Sequence, residues 1–226
     1  MVKILRSSIN TGLRQSILAS SATSGGGGGG GGGSSNTCTW SMRYHMFGEN
    51  MGTFEVYVEQ SGSFTRILQK IGQQHTSTTD EYDLFTYDLM PLFAGTNVRI
   101  YCIQKHEANV SFRGDVAIDD LKITTNGSVT NLSGLFTAWE EAGEHSSLSS
   151  AQTATSWSLL NTTLDTRSWN IEPGGETVSS DTGPDMAYNN NVNTDYIYWE
   201  ASVSGQTLPE TKYYPLRTVD AISVPS

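Results

Sequence analysis

An antiparallel β-sandwich is the fold this sequence predicts, and three observations carry the prediction. Apolar and polar residues alternate in several short runs. Gly, Ser, Thr and Asn fill the stretches between them, and past residue 24 no helical period is sustained. Hydrophobic residues make up 36% of the chain and charged residues only 16%. That balance suits short strands joined by polar turns and suits a helical bundle badly. With 226 residues there is room for one sizeable core plus appendages, or for two small domains.

Trp40, Met42, Tyr44 and Met46 alternate with Ser41, Arg43 and His45. Phe54, Val56 and Val58 then alternate with Glu55, Tyr57 and Glu59, and the glycines at 48 and 52 supply a turn between the two runs. Val98, Ile100 and Cys102 share a face opposite Arg99, Tyr101 and Ile103. From Val116 to Ile123 the parity slips, since Val116 and Ile118 hold one phase while Leu121 and Ile123 hold the other. A β-bulge at Asp119 and Asp120 returns all four to one face. Residues 124–156 are polar and weakly patterned apart from Leu132, Leu135, Phe136 and Trp139, which predicts a long connection with at most one short element. Strand signals return at residues 196–203 (YIYWEASV) and 218–224.

Ahead of this body lies a different kind of chain. Residues 1–24 form a Ser-rich arm carrying Lys3, Arg6 and Arg14, with no acidic residue before Glu49. Ile4, Leu5, Ile9, Leu13, Ile17 and Leu18 are spaced by polar residues, which fits a short amphipathic helix docking on a partner; a disordered tail is the bland alternative. There is neither the unbroken apolar run of a secretory signal nor a stretch long enough to span a bilayer. Residues 25–36 follow as a tether, with an unbroken polyglycine run from 25 to 33. Glycine loses the most backbone entropy on ordering and has nothing to bury, so such a dozen residues form a flexible span of roughly 20 Å. No Gly-Lys-Ser/Thr closes the run, so it is no phosphate loop. The formal net charge of −10 gives the whole chain no electrostatic footprint for nucleic acid.

Residues 41–58 (SMRYHMFGENMGTFEVYV) resemble the central hairpin of MAM domains, extracellular modules named partly for meprin and receptor tyrosine phosphatases. Gly72-Gln73-Gln74, residues 98–101 and residues 111–121, with RGDVAIDDL as the most specific piece, look like the second half of that family. Tyr82 stands where the family usually has Trp. Downstream, residues 177–184 (TVSSDTGP) and 196–202 (YIYWEAS) resemble the family's first half. Each half is present once, in swapped order. The resemblance implies a jelly-roll-like sandwich over residues 37–226, built of a second half at 37–124, a connection at 125–156 and a first half at 157–226. Three explanations remain open: a circular permutant closing on itself, halves exchanged between subunits, or a piece of a tandem array. Permutation is favoured, because one full set of halves buries one core without association entropy, and sandwich termini are often close together. The family's cysteines flank the domain. Here Cys38 lies one position off and Cys102 falls mid-strand, so no disulfide is indicated and no zinc spacing exists.

Asp119 and Asp120 are the candidate metal ligands. Related jelly-roll modules often hold a structural Ca2+ at such a bulge, through carboxylate and backbone oxygens; the bland reading is a solvated turn with one capping carboxylate. No cofactor is required. Arg113-Gly114-Asp115 spells an integrin tripeptide, but the resemblance assigns the Gly-Asp pair to the fold. His45, His75, His106 and His145 are scattered, and no G-x-S-x-G, HExxH or paired-carboxylate pattern appears. Tyr196, Tyr198, Tyr213 and Tyr214 offer a glycan or protein contact surface if exposed and core filling if buried.

Arm, tether and adhesive body together predict a non-catalytic virion surface protein: a capsid decoration or a tail or fibre component of a virus or phage. Its partners are other virion proteins through Ile4, Leu5, Ile9, Leu13 and Ile17, further copies of itself, and a host surface glycan or protein. Nucleic acid and membrane insertion are excluded. The alternative is a secreted or cell-surface adhesion protein of the extracellular matrix, and a third class is the carbohydrate-binding module of an enzyme.

Overall fold

A computed structural model describes residues 36–48, 50–77, 80–109, 114–132, 136–160, 167–172, 196–200 and 207–226. The predicted arm, with Ile4, Leu5, Ile9, Leu13 and Ile17, lies outside them, as do tether residues 25–35. Along the chain run β1 (Cys38–Phe47), β2 (Thr53–Gln60), β3 (Ser63–Ile71) and β4 (Asp83–Asp88). A four-residue helix α1 (Met90–Phe93) precedes β5 (Asn97–His106), β6 (Asp115–Thr125) and β7 (Ser128–Asn131). A 3-10 turn (Phe136–Ala138) leads into β8 (Trp139–Glu141), then helix α2 (Leu148–Gln152), β9 (Ser158–Leu159) and β10 (Trp169–Glu172). The last strands are β11 (Tyr196–Glu200), β12 (Lys212–Thr218) and β13 (Ile222–Ser223).

These strands make two antiparallel sheets packed as a sandwich. Sheet A runs β10-β11-β6-β1-β4, with β7 continuing the β11 side of β6; sheet B runs β3-β2-β5-β12-β8-β9, with β13 against the start of β5. The core is their facing sides. Trp40, Met42 and Met46 of β1 meet Phe54, Val56 and Val58 of β2 and Ile100 and Cys102 of β5, all fully buried. Trp139, Trp169, Trp199, Tyr214 and Leu216, from the later part of the chain, fill the same cluster. One core therefore draws on residues before and after 124, within residues 35–226 as one compact unit.

The slip of parity in β6 is a bulge. Ser41 pairs with Lys122 but Arg43 with Asp119, so β6 carries an extra residue there. Val116, Ile118, Leu121 and Ile123 all reach the core as expected. Three expectations need correction. β1 and β2 lie in different sheets, so the glycine-bounded segment between them is a crossover and not the turn of a hairpin. The segment at 124–156 is no bare connection, since it holds β7, the 3-10 turn, β8 and α2, and Trp139 is one of the largest buried side chains. The strand expected at 218–224 is split by a bend at Asp220 into the end of β12 and β13.

The poles of the sandwich differ. At one, the chain enters β1 beside its own last residue: Asn36 donates to the Ser226 carbonyl, and Gly95 N–H to the carbonyls of Val224 and Pro225. At the other, the β1–β2 crossover presses against β5 and β6. A Cβ on Gly52 would collide with the Lys105 carbonyl oxygen, and one on Gly114 would lie 2.9 Å from the Asn50 backbone, so both glycines are fixed by close approach.

Candidate functional site

The two predicted ligands sit on the outer face of sheet A. Asp120 adopts φ +52°, the left-handed conformation the bulge demands, and its N–H donates to Asp119 Oδ1 at 2.6 Å. Its own carboxylate is divided between two cations, Arg43 Nε at 3.3 Å and Lys122 Nζ at 3.1 Å. Asp119 is buried and pairs with Arg43 across the strands. A calcium ion needs six to eight oxygens and would take Asp120 from both cations. Among the described residues no cluster of three or more His, Cys, Asp or Glu is placed to hold a metal.

One residue pair further along β1, the same face holds a cluster that sequence spacing alone does not reveal. His45 projects outward from β1, fully buried, and stacks on His75 with ring centroids 4.1 Å apart and planes 23° apart. His75 comes from the stretch after β3. That stretch docks on β1 where β4 stops: β4 covers Thr39 to Tyr44, and beyond it the Met46 carbonyl accepts from the N–H groups of Gln74 and His75. Met46 N–H in turn donates to His75 Nδ1 at 3.0 Å, which puts that ring's proton on Nε2. His45 Nε2 lies 3.1 Å from the Ser77 carbonyl oxygen, which only accepts, so His45 carries its proton there and leaves Nδ1 bare. His45 Nδ1 and His75 Nε2 are both buried without a hydrogen-bond partner. Burial first, then the neighbouring imidazole, lowers the His45 pKa to about 4. Tyr82 closes the cluster, its ring 5.2 Å from His45 and packed with Ala117, Tyr196 and Tyr198.

No family model, curated protein or solved structure matches the chain. Asp115 of the integrin-like tripeptide is buried, and Gly114 is held by the close approach of Asn50, so the Gly-Asp pair serves the fold; Arg113 lies outside the described residues. Tyr196, Tyr198 and Tyr214 are buried, which removes them from any open glycan platform, while Tyr213 is half-buried. Cys38 and Cys102 are both buried free thiols, and burial pushes that of Cys102 up.

The outer face of sheet B holds a row the sequence did not suggest. Arg66, Tyr57, Tyr101, Arg217 and Glu140 stand in register across β3, β2, β5, β12 and β8. Arg217 donates to Glu140 Oε1 from Nε at 2.6 Å and to Tyr101 OH at 3.1 Å, and its guanidinium lies 3.8 Å from the Trp157 ring centroid. Glu55 accepts from Tyr57, Arg66 and Gln69 at 2.7, 2.7 and 2.8 Å. Near the pole of Asn36, a groove of about 430 Å3 opens between β6, β7 and the β12–β13 bend. Ile123, Leu132 and Ile222 line it beside Thr125, Thr130 and Asp220.

Proposed function

We propose that this chain is a non-catalytic surface protein of a virus or phage particle, a decoration or fibre component in which the sandwich is an adhesive or reinforcing module held out on the polyglycine tether. The observation that carries the reading is the position of Asn36. The sandwich begins at Asn36 at one pole, beside β13 and Ser226, and the β1–β2 crossover and the 72–77 docking segment lie at the opposite pole. A module displayed for contact needs that polarity. Two buried unpaired thiols in a body this rich in strand pairing fit assembly in a reducing cytosol better than secretion, where disulfides form and persist. The adjacency of Asn36 and Ser226 is also what a permuted MAM-like sandwich requires, because a normal order would join those two points directly.

The test uses particles purified from the source. Antibody against the sandwich should label intact particles carrying the full chain. A chain lacking residues 1–24 should melt at the same temperature as the full chain yet be missing from the particles. Full occupancy by the shortened chain would place the anchor in the sandwich. Protein found only in particle-free medium would favour a secreted adhesion protein.

A further inference from the structure

We propose that the His45–His75 pair is an acid-sensitive clasp: protonation of either ring releases residues 72–77 from the edge of β1 and bares that edge, with the Tyr82 face beside it, at the pole opposite Asn36. The geometry leaves a proton no harmless place. On His75 it would go to Nδ1, turning the acceptor of Met46 N–H into a second donor aimed at it. On His45 it would go to the bare Nδ1, placing a cation in the interior against a ring 4.1 Å away. The first outcome removes the ring's hydrogen bond to β1 and the second places an unsolvated charge under it, so only the Gln74 and His75 N–H bonds to the Met46 carbonyl and the Ser77 carbonyl bond to His45 are left to hold the segment on β1.

The charges around the pair decide which way the released ring moves. On the segment's own side, Asp80 holds Thr76 and Ser77 through hydrogen bonds of 2.7 and 3.0 Å to their N–H groups, and these bonds keep its carboxyl below the usual range. It stays ionised in mild acid. From β4, Asp83 accepts from Tyr44 OH at 2.9 Å and attracts a proton on His45. From β1, Arg43 donates to the Tyr82 carbonyl and pairs with Asp120, so its charge is engaged. From β6, Asp119 faces Tyr82, and Ala117 brings no charge. From β11, Tyr196 and Tyr198 pack on Tyr82 as neutral phenols, and from β3 Lys70 lies over the Tyr44 ring, 5.2 Å from its centroid. Asp80 and Asp83 are the carboxylates that act on His45 and they lie toward solvent, while on the interior side aromatic rings line the pair and the buried Asp119 acts on Tyr82. An imidazolium gains by swinging outward, and the segment leaves with it. Histidine is the side chain suited to such a change between neutral and mildly acidic pH.

Hydrogen exchange followed by mass spectrometry on the full chain at pH 7.0 and 4.5, corrected for intrinsic exchange rates, tests this. Exchange in peptides covering residues 72–77 and Met46 should rise at least ten-fold at pH 4.5, while peptides from β2 and β5 stay protected. In His45→Gln/His75→Asn, amides stand in for the donor Nε2 and the acceptor Nδ1 without titrating, and the rise should vanish. Should that variant fail to fold, the ring-proton NMR titration of the unaltered protein serves: its imidazole midpoint should coincide with the onset of segment exchange. An equal rise in all peptides would mean global acid unfolding and overturn a local clasp. A rise that persists in the double variant, an absence of any rise, or a midpoint that does not match would overturn the role of the histidines.

Discussion

Part of the outer face of each sheet is buried, and the two are closed in different ways. On sheet B, Tyr57 and Tyr101 are buried with Ala151 of α2, Phe64 and Trp157, and Arg66 and Arg217 have Glu55 and Glu140 as ion partners. On sheet A, Arg43 and Lys122 match Asp120, yet one strand position away two imidazole nitrogens are buried with nothing to bond. A satisfied network rigidifies a surface, whereas an unsatisfied buried polar atom costs about 1 to 3 kcal/mol and marks a place where the structure opens first. The contrast assigns stability to one face and responsiveness to the other.

The largest effect is expected on sheet B. Arg217→Ala removes the Glu140 ion pair, the Tyr101 hydrogen bond and the Trp157 stack together, and leaves a poorly exposed carboxylate without its cation. Loss of one partner of a largely buried pair costs about 3 to 4 kcal/mol, read as a lower urea midpoint with unchanged slope. Arg217→Lys keeps the charge but neither the fork nor the flat stacking surface, so about half the loss should remain. If Arg217→Ala shifts the midpoint by no more than an exposed Lys→Ala change does, sheet B's outer row is ornament and the comparison fails.

The second effect belongs to sheet A. His45 has its folded-state pKa depressed to about 4, so the unfolded chain binds the proton first and stability falls as pH drops below the unfolded value near 6.5. Between pH 8 and pH 5 the loss from this group is about 2 kcal/mol, and it levels off once pH passes below the folded value. Urea unfolding at stepped pH measures it. A clasp that opens locally caps the loss at its own opening free energy, so a plateau reached above pH 5 sharpens the contrast. His45→Gln should flatten the curve over this window.

The comparison also shows what the sequence made legible. Period-two alternation identified the inward faces of β1, β2, β5 and β6 correctly, because those residues meet the opposite sheet whatever else happens. It could not report that Tyr57, Tyr101, Ile103, His45, Ala117 and Tyr198 are buried on the far sides, since that depends on segments distant in sequence. The bulge at Asp119 and Asp120 was legible as a break in phase. Two hairpin turns also carry a local signal: Ser61-Gly62 and Asn126-Gly127 both take positive φ in two-residue connections, with Gln60 opposite Ser63 and Thr125 opposite Ser128. The histidine pair was not legible, because His45 and His75 meet only through the crossover to sheet B and back, a path that no spacing rule encodes.

A smaller effect separates backbone from charge at the bulge. Asp120 holds φ +52°, where a residue with a Cβ costs about 1 to 2 kcal/mol more than glycine. Asp120→Gly relieves that strain while losing two partly exposed ion pairs worth about 0.5 kcal/mol each, so thermal melting should move little in either direction. Asp120→Val keeps the strain, adds branching at Cβ and loses the pairs, and should cost about 1 to 2 kcal/mol. A large loss in the glycine variant would mean that the carboxylate, and not the turn, holds this part of sheet A.

The smallest expected effect is that of calcium, and it asks what the carboxylates at the bulge are for. A ligand that binds only the folded state raises stability by RT ln(1 + [L]/Kd), about 2.7 kcal/mol at a hundred-fold excess over Kd, which melting would register plainly. Asp120 already faces Arg43 and Lys122, and Asp119 Oδ1 already accepts from the Asp120 N–H, so an ion must displace two cations before it gains two carboxylates. Melting in EDTA and in millimolar calcium should therefore coincide. A rise in calcium would show that Arg43 and Lys122 are placeholders, and Arg43→Gln together with Lys122→Gln should then enlarge it. If the curves coincide for the unaltered protein but separate for that double variant, the bulge is a metal site held shut by its own cations. Sheet A would then owe its quiet corner to those two side chains, just as its responsive corner rests on two histidines.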